Sequence, residues 1–155
     1  MKNRFTIHFD PPRYGWMHVT LSTDEGPAIF ITASHIYKSV DDLLTALALL
    51  LKGSPTASVS WDEEPQEFDF CFEQDSGVVY FEVVKLPHGK RTRREGAGQM
   101  EVFSSSGTVL EICLPFWRAL RALQCCMPLS EFETAWDPFP VEKLAEVNRL
   151  IKGTR

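Results

Sequence analysis

No lysine, arginine or histidine occurs between Lys52 and Lys85. That gap excludes a continuous basic stripe through the middle of the chain, and with it the footprint of a nucleic-acid binder. The net charge of −5 adds no bulk attraction to nucleic acid or to an anionic membrane. Long hydrophobic runs are also missing: Leu43 to Leu51, broken by Thr45, falls well short of a bilayer crossing. The N-terminus, Met1 to Phe5, develops no apolar stretch ending at a small-residue cleavage site. The expected location is therefore cytoplasmic. Cysteine is scarce, with four residues of which Cys125 and Cys126 are adjacent, so reduced core thiols are expected rather than a disulfide framework. No C-x-x-C pair, H-E-x-x-H helix, G-x-S-x-G elbow or calcium loop is present. No metal, cofactor or catalytic set is expected.

What is present is aromatic and alternating. Hydrophobic residues make up 44% of the 155 positions, with 11 phenylalanines and 4 tryptophans, a load that a disordered chain could not carry without aggregating. The length suits one domain over residues 1–155 and is too short for two independent cores. Phe68, Phe70 and Phe72 alternate with Asp69, Cys71 and Glu73, the two-residue period of a half-buried strand. Gln74 to Gly77 supplies a turn, and Val78 to Val84 a β-branched partner. Pairing the two places the phenylalanines on one face with Val79, Phe81 and Val83. Asp69, Cys71 and Glu73 then share the other face with Tyr80 and Glu82.

Around this hairpin, strands are expected at Phe5–Phe9, Trp16–Leu21, Ala28–Ala33, Ala57–Trp61 and Met100–Phe103, the last ending near Ser104 to Gly107. The first three have connections too short for crossover helices and form an antiparallel meander. Ser39 reads as an N-cap, with Asp41 and Asp42 in the first turn. Val40, Leu43, Leu44, Leu47, Leu50 and Leu51 form the apolar stripe of that helix, and Gly53 stops it. A second helix is expected to start near Pro115 and end at Pro128. Glu131 to Trp136 reads as irregular turns, and Val141 to Ile151 as a last helix closed by Gly153. The fold class is α+β: a mainly antiparallel sheet of about six or seven strands packed against about three helices.

Two charged features are candidates for function. Asp62, Glu63, Glu64, Glu67, Asp69, Glu73, Asp75 and Glu82 make the cation-free stretch strongly acidic. Of these, Asp69, Glu73 and Glu82 converge on one face of the hairpin, where clustered like charges raise at least one pKa. Such carboxylates also serve as plain solubilising groups, and both readings stay open. The loop Pro87 to Gly98 is basic and glycine-rich, with Lys90, Arg91, Arg93 and Arg94. It precedes a strand rather than a helix, so it lacks the context of a phosphate cradle. The proposed contact residues are Asp62, Glu63, Glu64, Asp69, Glu73 and Glu82, with Lys90, Arg91, Arg93 and Arg94 as a separate patch. Cys71 with His8 or His18 would form a nucleophile–base pair only if folding joined them; spacing gives that no support.

The segments Trp61-Asp62-Glu63-Glu64-Pro65-Gln66-Glu67-Phe68 and Trp136 to Leu144 resemble parts of small bacterial α+β proteins regarded as immunity-like proteins of toxin systems. The resemblance implies a stoichiometric protein binder rather than an enzyme, and carries no catalytic residues. The rival reading is a small hydrolase or ligand-binding protein with a pocket between sheet and helices. A homodimer through an uncovered sheet edge fits either reading, and the sequence does not locate that edge.

Overall fold

The computed structural model describes residues 4–87 and 98–154. Seven strands form one antiparallel sheet in chain order: β1 Phe5–Phe9, β2 Trp16–Thr23, β3 Ile29–Ser34, β4 Thr56–Asp62, β5 Glu67–Asp75, β6 Val78–Leu86 and β7 Met100–Thr108. Among the described residues there are four helices: α1 Ser39–Leu51 between β3 and β4, then α2 Val109–Cys125, α3 Leu129–Ala135 and α4 Val141–Thr154.

The central hairpin follows the expected alternation. Phe70 lies opposite Val83 and Phe72 opposite Phe81, all buried. The β5–β6 turn centres on Ser76 and Gly77, both at positive φ, the twist that a two-residue hairpin requires. Phe81 is the middle of the core. Its ring meets those of Phe72 at 4.8 Å, Phe5 at 5.2 Å, Phe116 at 5.3 Å, Phe70 at 5.4 Å and Phe103 at 5.7 Å. Phe5 belongs to the first strand and Phe103 to the last, so the sheet is rolled until its two ends share a core. Phe116 of α2 fills the space between them. Tilted and edge-on pairs of this kind add to the burial of apolar area.

Several boundaries differ from the sequence expectation. Ser39 is not the N-cap of α1: Lys38 holds that position without a side-chain cap, and the buried Ser39 hydroxyl donates to the Ser60 carbonyl of β4. That bond ties helix to sheet in place of capping. Ser104, Ser105 and Ser106 do not end β7 but continue its ladder, with Ser106 opposite Tyr80. α2 begins six residues before Pro115, at a capping box in which Thr108 Oγ1 accepts from the Glu111 amide while Glu111 accepts from the Thr108 amide. Gly107 leaves room for this, since a Cβ there would lie 3.0 Å from Glu111 Cβ. The reciprocal cap outweighs the proline in setting the start, and Pro115 sits inside the helix. The Glu131 region is helical because Phe132 turns inward against Phe139, rings 5.3 Å apart. In α4, Leu144, Val147 and Ile151 face the core, whereas Val141 is exposed and Gly153 falls within the helix. Lys52, just past α1, meets Glu146 of α4 at 2.8 Å. Trp117 of α2 donates its indole N–H to Asn148 of α4.

Truncating Phe81 to alanine is expected to cost about 3–5 kcal/mol of unfolding free energy, read as a lower urea midpoint. Thr108→Ala is expected to cost about 1 kcal/mol through the lost cap, with the denaturant slope unchanged.

Candidate functional site: an acidic face on β5–β7

The acidic stretch divides into two groups with different fates. The first lies at the junction of β4 and β5, and its charges are largely used by the fold. Asp62 is buried, and its Oδ1 accepts from the Glu64 amide at 2.8 Å. Proposed as a contact residue, Asp62 is corrected here to an internal anchor of the β4–β5 turn. Glu67 is also buried and accepts from the Tyr37 hydroxyl. Glu63 Oε2 accepts from the Thr32 amide of β3 at 2.7 Å, and Oε1 accepts from Gln66. Asp69 is half-buried and accepts from the Ser60 hydroxyl at 2.8 Å. Of this group Glu64 is the exposed member.

The second group faces outward. Strand register sets Cys71 opposite Glu82 and Glu73 opposite Tyr80, so one side of the hairpin carries them all, as alternation predicts. On the far side of β6, a bulge between Val83 and Val84 shifts the pairing, and Glu101 falls opposite Val84. The result is a depression of about 350 Å³ lined by Cys71, Glu73, Tyr80, Glu82, Glu101 and the Ser104–Ser106 run. Its lining contains three carboxylates and no described lysine or arginine. Glu82 is half-buried there, and its carboxyl is hydrogen-bonded to that of Glu101. That bond, followed by burial and the negative charges of Glu101 and Glu73, pushes the Glu82 pKa above the ordinary carboxylate range. Asp69 is not part of this lining. Lys90, Arg91, Arg93 and Arg94 lie outside the described residues.

Comparison with protein-family models, curated proteins and solved structures found no match. The chemistry of the face is therefore read from its own side chains.

Among the described residues, no group of three or more His, Cys, Asp and Glu side chains has the arrangement of a metal site. Cys71 and the histidines are held apart in function: His8 pairs with Asp10 at 2.8 Å, His18 Nδ1 contacts Thr32 Oγ1, and neither lines the depression around Cys71. Cys113 is fully buried and its thiol is pushed up to about 12 by desolvation, which makes it a packing residue. A second depression of about 240 Å³, between β1, β7 and α2, has the placement that a ligand-binding reading requires. It is lined by Arg4, Glu111 and Arg118 among apolar groups, with no described histidine or cysteine. Glu111 there already serves the α2 cap.

Glu101 is the member of the face that sequence reasoning missed. Its position depends on how β7 registers against β6 from a distance in sequence and across a bulge, and neither is encoded by local periodicity.

Replacing Glu101 with glutamine is expected to bring the Glu82 pKa down toward the usual carboxylate value, read by carboxyl-carbon NMR titration. Because the folded state binds the Glu82 proton more tightly than the unfolded state, this group favours folding below its ordinary pKa. That contribution disappears as pH rises through the raised one. Glu101→Gln should flatten this acid-side stabilisation in denaturation curves taken across the same pH window.

Proposed function

We propose that the protein is a non-catalytic protein-binding module of the immunity-like kind, and that it docks a basic partner on the outer face of β5–β7. The observation that carries this reading is the Glu82–Glu101 contact beside Glu73, an accumulation of negative charge that the described lining leaves without a cation. A lysine or arginine brought to the depression relieves repulsion that the free protein must bear, so part of the binding energy comes from discharging it. Tyr80, 53% exposed beside Glu82, adds a rigid aromatic surface of the type that anchors protein interfaces. The net charge of −5 steers a basic partner toward the molecule and raises the on-rate at low salt. A basic toxin domain such as a nuclease is the class of partner that the sequence resemblance suggests. Glu64, and the basic patch Lys90, Arg91, Arg93 and Arg94, are contacts of secondary weight in this proposal. Among the described residues no helix is long and apolar enough to cross a membrane, and the proposed setting is the cytoplasm.

Docking a cation favours the ionised form of Glu82, so binding releases a proton and tightens as pH rises through the raised Glu82 pKa. The test is a triple variant, Glu73→Gln, Glu82→Gln and Glu101→Gln, against a control with Glu133→Gln and Glu142→Gln on exposed helix positions. Partners captured by the native chain and identified by mass spectrometry should be lost by the face variant and kept by the control. Affinity of a purified partner should fall with salt for the native chain and much less for the variant. Identical capture by both variants would remove the acidic face from the reading.

A further inference from the structure

The first three strands and the last four are joined by a single residue pair. β3 meets β4 only where Ser34 lies opposite Asp62. Earlier residues of β3 run beside the β4–β5 turn instead of beside a strand. The Thr32 amide shows how that side is oriented: it points away from β2 and donates to Glu63 Oε2 at 2.7 Å. Backbone direction repeats every second residue in a strand, so Phe30 turns its N–H and C=O the same way. Among the described residues no strand covers that side of Phe30, a residue 71% exposed. The run Ala28 to Ala33 contains two isoleucines, a phenylalanine and a threonine and no charge, a composition that favours strand pairing. Charge, proline and bulge are the usual means of blunting a free edge, and none sits at Phe30. The Glu63 side chain shields Thr32 alone.

Charge at the two ends of this edge decides what fits it. Exposed Asp24 and Glu25 stand at its beginning, in the β2–β3 turn, and Glu63 with exposed Glu64 stands at its end. A second copy pairing antiparallel through β3 would set Asp24 and Glu25 of each chain against Glu63 and Glu64 of the other. That juxtaposes like charges at both ends. A strand with a cation at either end meets opposite charge at both. We propose that the free edge of β3 is a strand-addition site for an extended protein segment with an uncharged, β-branched centre flanked by lysine or arginine. Main-chain hydrogen bonds from Phe30 would supply pairing, and the flanking acids would supply selectivity. This edge is distinct from the outer face of β5–β7 and does not depend on that face being a docking surface.

The test uses the full-length, isotope-labelled chain and a synthetic peptide of alternating valine and threonine with a lysine at each end. Saturable amide shifts should appear at Ile29 to Thr32 and be absent from Tyr80 to Glu82. N-methylation of alternate peptide amides should abolish them. Exchanging both lysines for glutamates should weaken binding about tenfold at low salt, the order expected when two exposed attractions become repulsions. Phe30→Pro removes the outward donor and should abolish binding. Phe30→Lys, at the same exposed side chain, adds a cation to the site and should weaken binding of the lysine-flanked peptide about tenfold at low salt. Equal binding of the basic and acidic peptides would overturn the proposal, as would shifts confined to β5–β7. So would a dimer in sedimentation that Phe30→Lys disperses, because the edge would then belong to a second copy.

Discussion

The packing of Phe81 against five other rings is the constraint on which the rest of the molecule depends. Those rings come from β1, β5, β7 and α2, and they meet only if the sheet is rolled. A flat sheet of the same sequence would leave Phe5 and Phe103 far apart and Phe116 without a site. Rolling has a second effect. By closing the inner face around α2, it turns Cys71 and Glu73 of β5 and Tyr80 and Glu82 of β6 to the outer face, whatever their charge. Glu73 and Glu82 are gathered because Phe72, Phe81 and Val83 beside them are buried, and Glu101 joins them across the β6–β7 bulge.

The same constraint accounts for the weak junction in the sheet. α1 enters between β3 and β4 and brings its own apolar face, Leu43, Leu44, Leu47 and Leu50, into the core. Side chains then do what a ladder would have done. Ser39 satisfies the Ser60 carbonyl, and Glu63 satisfies the Thr32 amide. Tyr37 holds Glu67 on the outer side. Buried polar groups need partners of this kind, which is why much of the acidic run is structural. Charges that look uniform along the chain therefore separate into those that close the junction and those that face water.

Much of the architecture was legible from residue order. The alternation of Phe68, Phe70 and Phe72 identified both the strand and its buried face, and the leucine stripe identified α1. Both signals are local and repeat over several residues. Boundaries were less legible where two local signals competed. At the start of α2 the proline at 115, a residue suited to a first turn, competed with the Thr108–Glu111 cap that sets the boundary. At Ser39 a hydroxyl of the right type in the right place bonded across to β4 instead of to its own helix. Phe132 alone was too brief a pattern to announce α3.

The candidate site was legible in part. Glu73 and Glu82 were placed together because both belong to one hairpin whose short turn sets its register. Asp62 and Glu101 were not, since the first is buried where its carboxylate accepts from the Glu64 amide in the β4–β5 turn, and the second arrives through a distant strand across a bulge. Side-chain direction within a strand is a property of a few consecutive peptide units, so the chain determines it alone. Which carboxylates meet, and which strand edge is left open beside Phe30, depends on contacts between segments far apart in sequence. Those contacts exist only once the core has closed, and there the tertiary structure decided.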